Sequence, residues 1–163
     1  MVDKEDILEL CDGPDVNSVI VKVINKSNNP LPQYKTSEAA GMDLMAFITG
    51  DEEIVIKPQE TKLINTGLFI ELPTGWEAQV RSRSGLAAME NVFVLNSPGT
   101  IDSDYRGEIR VILTNLGDKD FIVHTGDRIA QMVLNKVTKI KFYEVTNLDN
   151  TERGDGGFGS TGK

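Results

Sequence analysis

Cysteine and histidine are nearly missing from this chain. One cysteine, Cys11, stands in 163 residues, which excludes an intrachain disulfide and suits a reducing compartment. One histidine, His124, lies at the end of an apolar run, where a structural role is expected, so serine–histidine–aspartate chemistry finds no support. A zinc deaminase would need His-x-Glu with Pro-Cys-x-x-Cys, and neither occurs. Basic charge is also scarce: 17 Lys+Arg against 25 Asp+Glu leave a net charge of -8. Non-specific nucleic-acid or anionic-membrane binding needs basic patches, so neither partner is expected. No apolar run reaches membrane-spanning length, and Met1-Val-Asp-Lys-Glu-Asp6 has neither the basic start nor the apolar core of a secretion signal. These absences predict a cytoplasmic enzyme or binding protein, or a nuclear one if the source is eukaryotic.

What is present is a series of short alternating runs separated by turn residues. They are Val19–Ile24, Glu53–Ile56, Thr61–Thr66, Gly67–Leu72, Trp76–Val80, Val92–Leu95, Ile109–Leu113, Asp120–His124, Arg128–Leu134 and Ile140–Val145. Many brief strands at this spacing predict an all-β barrel or jelly roll. Parallel βαβ architecture would need helical stretches of roughly 10–15 residues between the strands, and none is present. Only Ser84–Glu90 and the acidic Glu5–Leu10 read as short helices. Three parts are expected: an acidic segment 1–18, one β domain 19–146, and a C-terminal arm 147–163.

The densest chemistry lies in Asn96-Ser-Pro-Gly-Thr-Ile-Asp-Ser-Asp-Tyr-Arg-Gly-Glu-Ile109. Pro98-Gly99 is a turn pair, since proline pre-sets its backbone angle and glycine tolerates positive φ. Strand-like runs flank it, so the segment predicts a hairpin with Asn96, Asp102 and Tyr105 at its mouth. An amide, a carboxylate and an aromatic ring facing one space can grip a small planar ligand. At the other end of the chain, five of the fifteen glycines fall within Arg153-Gly-Asp-Gly-Gly-Phe-Gly-Ser-Thr-Gly162. Glycine maximises the entropy lost on ordering, so composition alone suggests a mobile end. The alternative is a flexible arm that closes over a ligand, with glycine amides able to approach phosphate oxygens closely.

With Ala39-Ala-Gly-Met-Asp-Leu-Met-Ala46, Arg81-Ser-Arg-Ser-Gly-Leu-Ala87 and Gly126-Asp-Arg-Ile-Ala-Gln-Met-Val133, these two segments make five motifs. In order and spacing they resemble the motifs of the trimeric dUTP pyrophosphatase (dUTPase) family, from about residue 19 to Gly162. The resemblance implies a β jelly roll, a distorted barrel, that hydrolyses dUTP to dUMP and pyrophosphate with Mg²⁺. Such an enzyme limits uracil in DNA and supplies dUMP for thymidylate synthesis. By that resemblance Asp102 activates the attacking water, although an aspartate here can also cap its own turn. Tyr105 would pack beneath the deoxyribose, leaving no room for a 2′-hydroxyl. Asn96 and the backbone of Thr100 and Ile101 would read uracil, with Arg110 contributing or standing as a solvated strand charge.

The resemblance also assigns phosphate contacts to Arg83, Ser84 and Gly85, where backbone N–H groups at a helix start favour anions. Ser84 could equally cap that helix. The family usually has proline where this chain has Ser82. Asp43 would touch the waters of the metal, and Gln131 would hold ordered water near the phosphates or be an ordinary strand residue. Asp127 and Arg128 are expected to hold a turn and an ion pair. In the arm, Arg153 would neutralise phosphate charge, Phe158 would stack over uracil, and Gly159, Ser160 and Thr161 would bond phosphate. A homotrimer with shared sites is implied. The alternatives are a dCTP deaminase-like enzyme of the same fold and a nucleotide-gated regulatory binding protein.

Overall fold

The computed structural model describes residues 18–50, 52–158 and 160. Eleven strands occur among them: β1 Lys22–Asn25, β2 Met42–Met45, β3 Ile54–Ile56, β4 Thr61–Asn65, β5 Leu68–Glu71, β6 Trp76–Arg81, β7 Val92–Val94, β8 Gly99–Ile101, β9 Arg110–Asn115, β10 Phe121–Val123 and β11 Arg128–Lys136. One helix, α1 (Ser84–Glu90), connects β6 to β7. The expected helix at Glu5–Leu10 lies outside the described residues. Among those residues no helix is long and apolar enough to cross a membrane.

Every strand pair is antiparallel. A four-stranded sheet runs β2-β11-β6-β8 and a three-stranded sheet runs β4-β9-β7, with the pairs β1-β5 and β3-β10 beside them. This is a single all-β jelly roll, as the alternating runs predict. The strands close on one core in which Leu44, Ile56, Ile64, Val92, Val111, Leu113, Val123 and Ile129 are buried. Alternation explains most of it: Val111 and Leu113 point inward from β9 while Arg110 points out. The register between β2 and β11 shifts between Arg128 and Ala130, so Ile129 is an extra residue. That bulge lets Ile129 and Ala130 both enter the core.

The buried side chains of Asn115 and Thr66 have partners in this core. The Asn115 side chain donates to the carbonyls of Ile56 and Lys119, both at 2.8 Å, and accepts the Gly117 N–H at 2.8 Å. It thereby ties β3 to the turn leading into β10. The Thr66 hydroxyl donates to the Ile109 carbonyl at 2.6 Å.

One expected strand does not form. Ile140–Val145 has the strand pattern, yet no strand follows β11 among the described residues. Phe142 and Tyr143 are 94% and 89% exposed. Alternation supplies propensity, but a strand also needs a neighbouring edge with which to exchange hydrogen bonds, and this segment lies on none.

Candidate active site

The segment from Asn96 to Ile109 does more than turn. β7 and β9 pair directly, Val94 opposite Leu113. Between them the chain leaves that sheet, and β8 joins the other one, placing Thr100 opposite Gln79 and Ile101 opposite Ala78. The expected hairpin mouth is therefore a cleft between two sheets. Its volume is about 260 Å³, and it is lined by Leu63, Thr100, Ile101, Asp102, Tyr105, Glu108, Arg110 and Ile112. Leu63 and Ile112 are cross-strand partners and give it an apolar wall. On the opposite side β8 is the last strand of its sheet, so one row of its backbone groups faces away from β6. An edge of this kind can pair with the polar rim of a flat ligand.

Asp102 stands exposed just past β8, where its carboxylate can meet water and ligand together. Its carbonyl accepts the Tyr105 N–H at 3.1 Å, closing a turn that brings both side chains to the cleft. The Tyr105 hydroxyl donates to the Glu108 carbonyl at 3.0 Å, laying the ring across Gly107. A Cβ at Gly107 would collide with that ring, so a larger residue would displace it. Arg106 turns elsewhere, donating to the carbonyls of Ser103 and Tyr105 at 2.8 and 2.9 Å. It lies near Glu71, whose carboxyl is held below its ordinary range by the Lys22 hydrogen bond first, with charge from Lys22 and Arg106 adding.

One sequence expectation changes here. Gly99 is not needed for positive φ: it begins β8, and a Cβ there would stand 2.9 Å from the Asn96 side-chain nitrogen, which would have to move. Asn96 thus lies against the start of β8, next to the Thr100 and Ile101 that line the cleft.

A second cluster gathers at the other side of the four-stranded sheet. The register places Gln131 between Asp43 on β2 and Arg81 on β6. Arg83 Nε donates to Asp43 Oδ1 at 3.0 Å, and Arg128 Nη1 donates to Asp43 Oδ2 at 3.1 Å. Arg83 Nη1 also donates to the Arg128 carbonyl at 2.7 Å. One carboxylate between two guanidiniums leaves an excess positive charge, which favours an anion beside it. Arg83 is itself the N-cap of α1, with Ser84 the first helical residue. Ser84 is therefore not the cap, and its N–H joins those at the helix start that lack an intrahelical acceptor.

Ser82 uses every polar group it has. Its N–H donates to Ser97 Oγ at 3.2 Å, its hydroxyl accepts the Val94 N–H at 3.0 Å, and its carbonyl accepts Gln131 Nε2 at 2.9 Å. Proline at this position would lose the first two bonds, so the serine replaces ring stiffness with a stitched loop. Asp127 holds its turn as expected, accepting the His124 N–H at 2.8 Å.

The arm residues stay away from this cleft. Arg153 Nε donates to the Gly156 carbonyl at 2.8 Å, and Phe158 is fully exposed. Ser160 N–H donates to the Gly157 carbonyl at 3.0 Å. Gly159 and Thr161 lie outside the described residues.

A sequence profile described as dUTPase matches residues 27–162. The chain belongs to the dUTPase family. It is 57% identical over 143 residues to a deoxyuridine 5′-triphosphate nucleotidohydrolase of Cytophaga hutchinsonii, covering 88% of this chain and 92% of that protein. It is 53% identical over 142 residues to the Finegoldia magna protein of the same name, covering 87% and 98%. Among solved structures, a mutant dUTPase of Staphylococcus bacteriophage 80alpha with dUpNHpp superposes with a TM-score of 0.78 at 23% identity. That match spans 90% of this chain and all of the phage chain. A phage phi11 dUTPase of S. aureus, studied for the coordination of a structural Mg(II) ion, gives a TM-score of 0.71 at 19% identity, over 81% of this chain and all of that one. These two likenesses are of fold.

The family implies Mg²⁺, and the donor set can be tested against it. Among the described residues no three His, Cys, Asp or Glu side chains gather as a metal cage. Asp43 already has both oxygens on arginines, and of the two carboxylates at the cleft Glu108 is bonded to Gly67 while Asp102 is open. Mg²⁺ keeps several waters and commonly takes one or two carboxylates plus phosphate oxygens. The residues therefore fit a hydrated ion held mainly by a nucleotide's phosphates.

Proposed function

We propose that this protein hydrolyses dUTP to dUMP and pyrophosphate, limiting uracil in DNA and supplying dUMP for thymidylate synthesis. The observation that carries the reading is the convergence of Asp102 and Tyr105 on one cleft whose far wall is the open edge of β8. Relatives named nucleotidohydrolases at 50–58% identity weigh against the deaminase-like alternative.

Uracil presents acceptor, donor and acceptor along one edge, and the backbone of Thr100 and Ile101 offers complementary groups. A cleft closed tightly around that edge would reject the methyl that thymine carries. Tyr105 lies against the sugar and excludes a 2′-hydroxyl, while Arg110 borders the base. The phosphates run toward Arg83, Ser84 and Gly85, where the helix-start amides and the two-arginine cluster hold negative charge. Gln131 holds water beside them.

Asp102 orients a water for in-line attack on the α-phosphorus and accepts its proton. A bond forms between the water oxygen and phosphorus as the bridge to the β-phosphate breaks, and pyrophosphate leaves with that bridging oxygen. When bound, Mg²⁺ would neutralise phosphate charge, and Asp43 would hold it through its waters. Positioning and charge supply most of the acceleration in reactions of this kind.

The arm belongs to the same reading. Arg153, Phe158, Gly159, Ser160 and Thr161 would close over a nucleotide, Phe158 stacking on uracil. Apart from Asn147 on the adjacent Thr146, the described arm residues bond only within the arm, and Leu148 in it and Phe142 and Tyr143 ahead of it are exposed. Both features support an arm free to serve another copy; a cytoplasmic homotrimer with shared sites completes the proposal.

A substrate panel tests the reading: pyrophosphate release from dUTP should exceed that from dTTP, UTP and dCTP by at least about 100-fold. Chelation of Mg²⁺ should suppress it. Equal release from all four nucleotides would end the assignment.

A further inference from the structure

The Tyr105 ring can discriminate sugars only if something stops it from tilting aside. Its own backbone does not, because Asp102–Gly107 is a loop outside any sheet. What restrains the ring is its hydroxyl, bonded to the Glu108 carbonyl at 3.0 Å. That carbonyl shares a planar peptide unit with the Ile109 N–H, and the Ile109 N–H donates to the Leu68 carbonyl at 2.8 Å. One peptide plane therefore joins the ring on one side to the start of β5 on the other.

The Glu108 carboxylate adds a second grip next to the first. Its Oε1 accepts the Gly67 N–H at 2.7 Å, so residues 108 and 109 clasp residues 67 and 68 at two adjacent points. The anchor is itself closely packed and bonded. Gly67 has φ +71°, and a Cβ there would meet Ser27 at 2.8 Å and Phe47 at 3.1 Å. Its carbonyl accepts the Lys26 N–H at 2.8 Å. Glu108 is half-buried against this junction and lines the cleft beside Tyr105. A charged acceptor on a backbone N–H is a strong hydrogen bond, and nothing in the proposed hydrolysis uses this carboxylate.

We infer that Glu108 is a positioning residue for sugar selectivity: by holding its carboxylate on Gly67 it fixes the peptide that aims the Tyr105 ring. The inference rests on the dUTP reading above and deepens it. Glu108→Ala frees one of the two grips, so the ring gains room to yield to a 2′-hydroxyl. Glu108→Gln keeps an acceptor oxygen of the same reach and retains the geometry. Tyr105→Phe removes the hydroxyl while keeping the ring, and breaks the tether without touching Gly67.

The measurement is the ratio of kcat/KM for dUTP to that for UTP, with thermal unfolding followed in parallel. Glu108→Ala and Tyr105→Phe should each lower the ratio about tenfold, a modest share of what misplacement by about 1 Å can do. Glu108→Gln should leave the ratio near that of the unaltered protein. The double variant should lose no more than either single one, since both cut the same tether. A ratio unchanged in Glu108→Ala, or parallel losses on both nucleotides at constant ratio, would overturn the inference. Full selectivity in Tyr105→Phe would overturn it too, even if Glu108→Ala does not fold. Failure of the underlying reading looks different: the unaltered protein itself would show no preference for dUTP.

Discussion

Arg83 Nε meets Asp43 Oδ1 at 3.0 Å across 40 residues of sequence, and this contact joins the start of α1 to β2. The Asp43 side chain is only 17% exposed, with Arg128 on its other oxygen. Removing the carboxylate would leave two guanidiniums facing each other without their counter-charge. Asp43→Ala should therefore destabilise the fold by about 1–3 kcal/mol, between the values for exposed and buried pairs. Asp43→Asn, which keeps one acceptor oxygen, should lose less. Because Arg83 would also be released from the phosphate side, kcat/KM for dUTP should fall by roughly tenfold or more. Denaturant midpoints and steady-state kinetics on the two variants check both. Unchanged stability in Asp43→Ala would make the pair incidental.

That contact also marks where sequence reading stops. Asp102 and Tyr105 lie three residues apart, so a turn alone brings them together, and their shared cleft was visible in the spacing. Most strands were visible too, because Val111, Leu113 and their neighbours alternate with polar residues; β2 and β8, only four and three residues long, were not. The ion pair of Asp43 depends on how β2, β11 and the β6–α1 loop meet, and no local pattern encodes that. The approach of Asn96 to Gly99 is not legible either, since a glycine carries no side chain to hint at what packs on it. Leu63 was missed because Leu63 and Ile64 are both apolar, so alternation does not say which one faces the core. Glu108 stood in the quoted motif without a role, since its partner Gly67 is 41 residues away. Ile140–Val145 misled for the opposite reason: its pattern is strand-like, but no described strand edge receives it.

Asp102 is the only carboxylate of the cleft that remains open to a water, since Glu108 is bonded to Gly67. Asp102→Asn keeps shape and removes the base. Turnover of dUTP should fall by about 10²–10⁴-fold, the usual worth of a positioned general base. Binding of a non-hydrolysable dUTP analogue, measured by calorimetry, should change little, because neither the β8 backbone nor Tyr105 is altered. Near-normal turnover would remove Asp102 from the reaction. A collapse of binding together with turnover would make it a ligand contact instead.

Deletion of residues 153–163 separates the arm's two conceivable duties, closing the site and holding copies together. The described part of the arm bonds to itself, as Arg153 does to Gly156, and contributes nothing to the buried core. Its removal should therefore leave the unfolding midpoint within about 0.5 kcal/mol of the full chain. Circular dichroism and light scattering should report the same fold and the same assembly. Catalysis should respond very differently: without Arg153 on the phosphates and Phe158 over the base, water reaches the cleft and the nucleotide is poorly held. A fall of about 100-fold or more in kcat/KM for dUTP is expected. Monomers after truncation would show that the arm is first an assembly element, and unimpaired turnover would show that the cleft works without it.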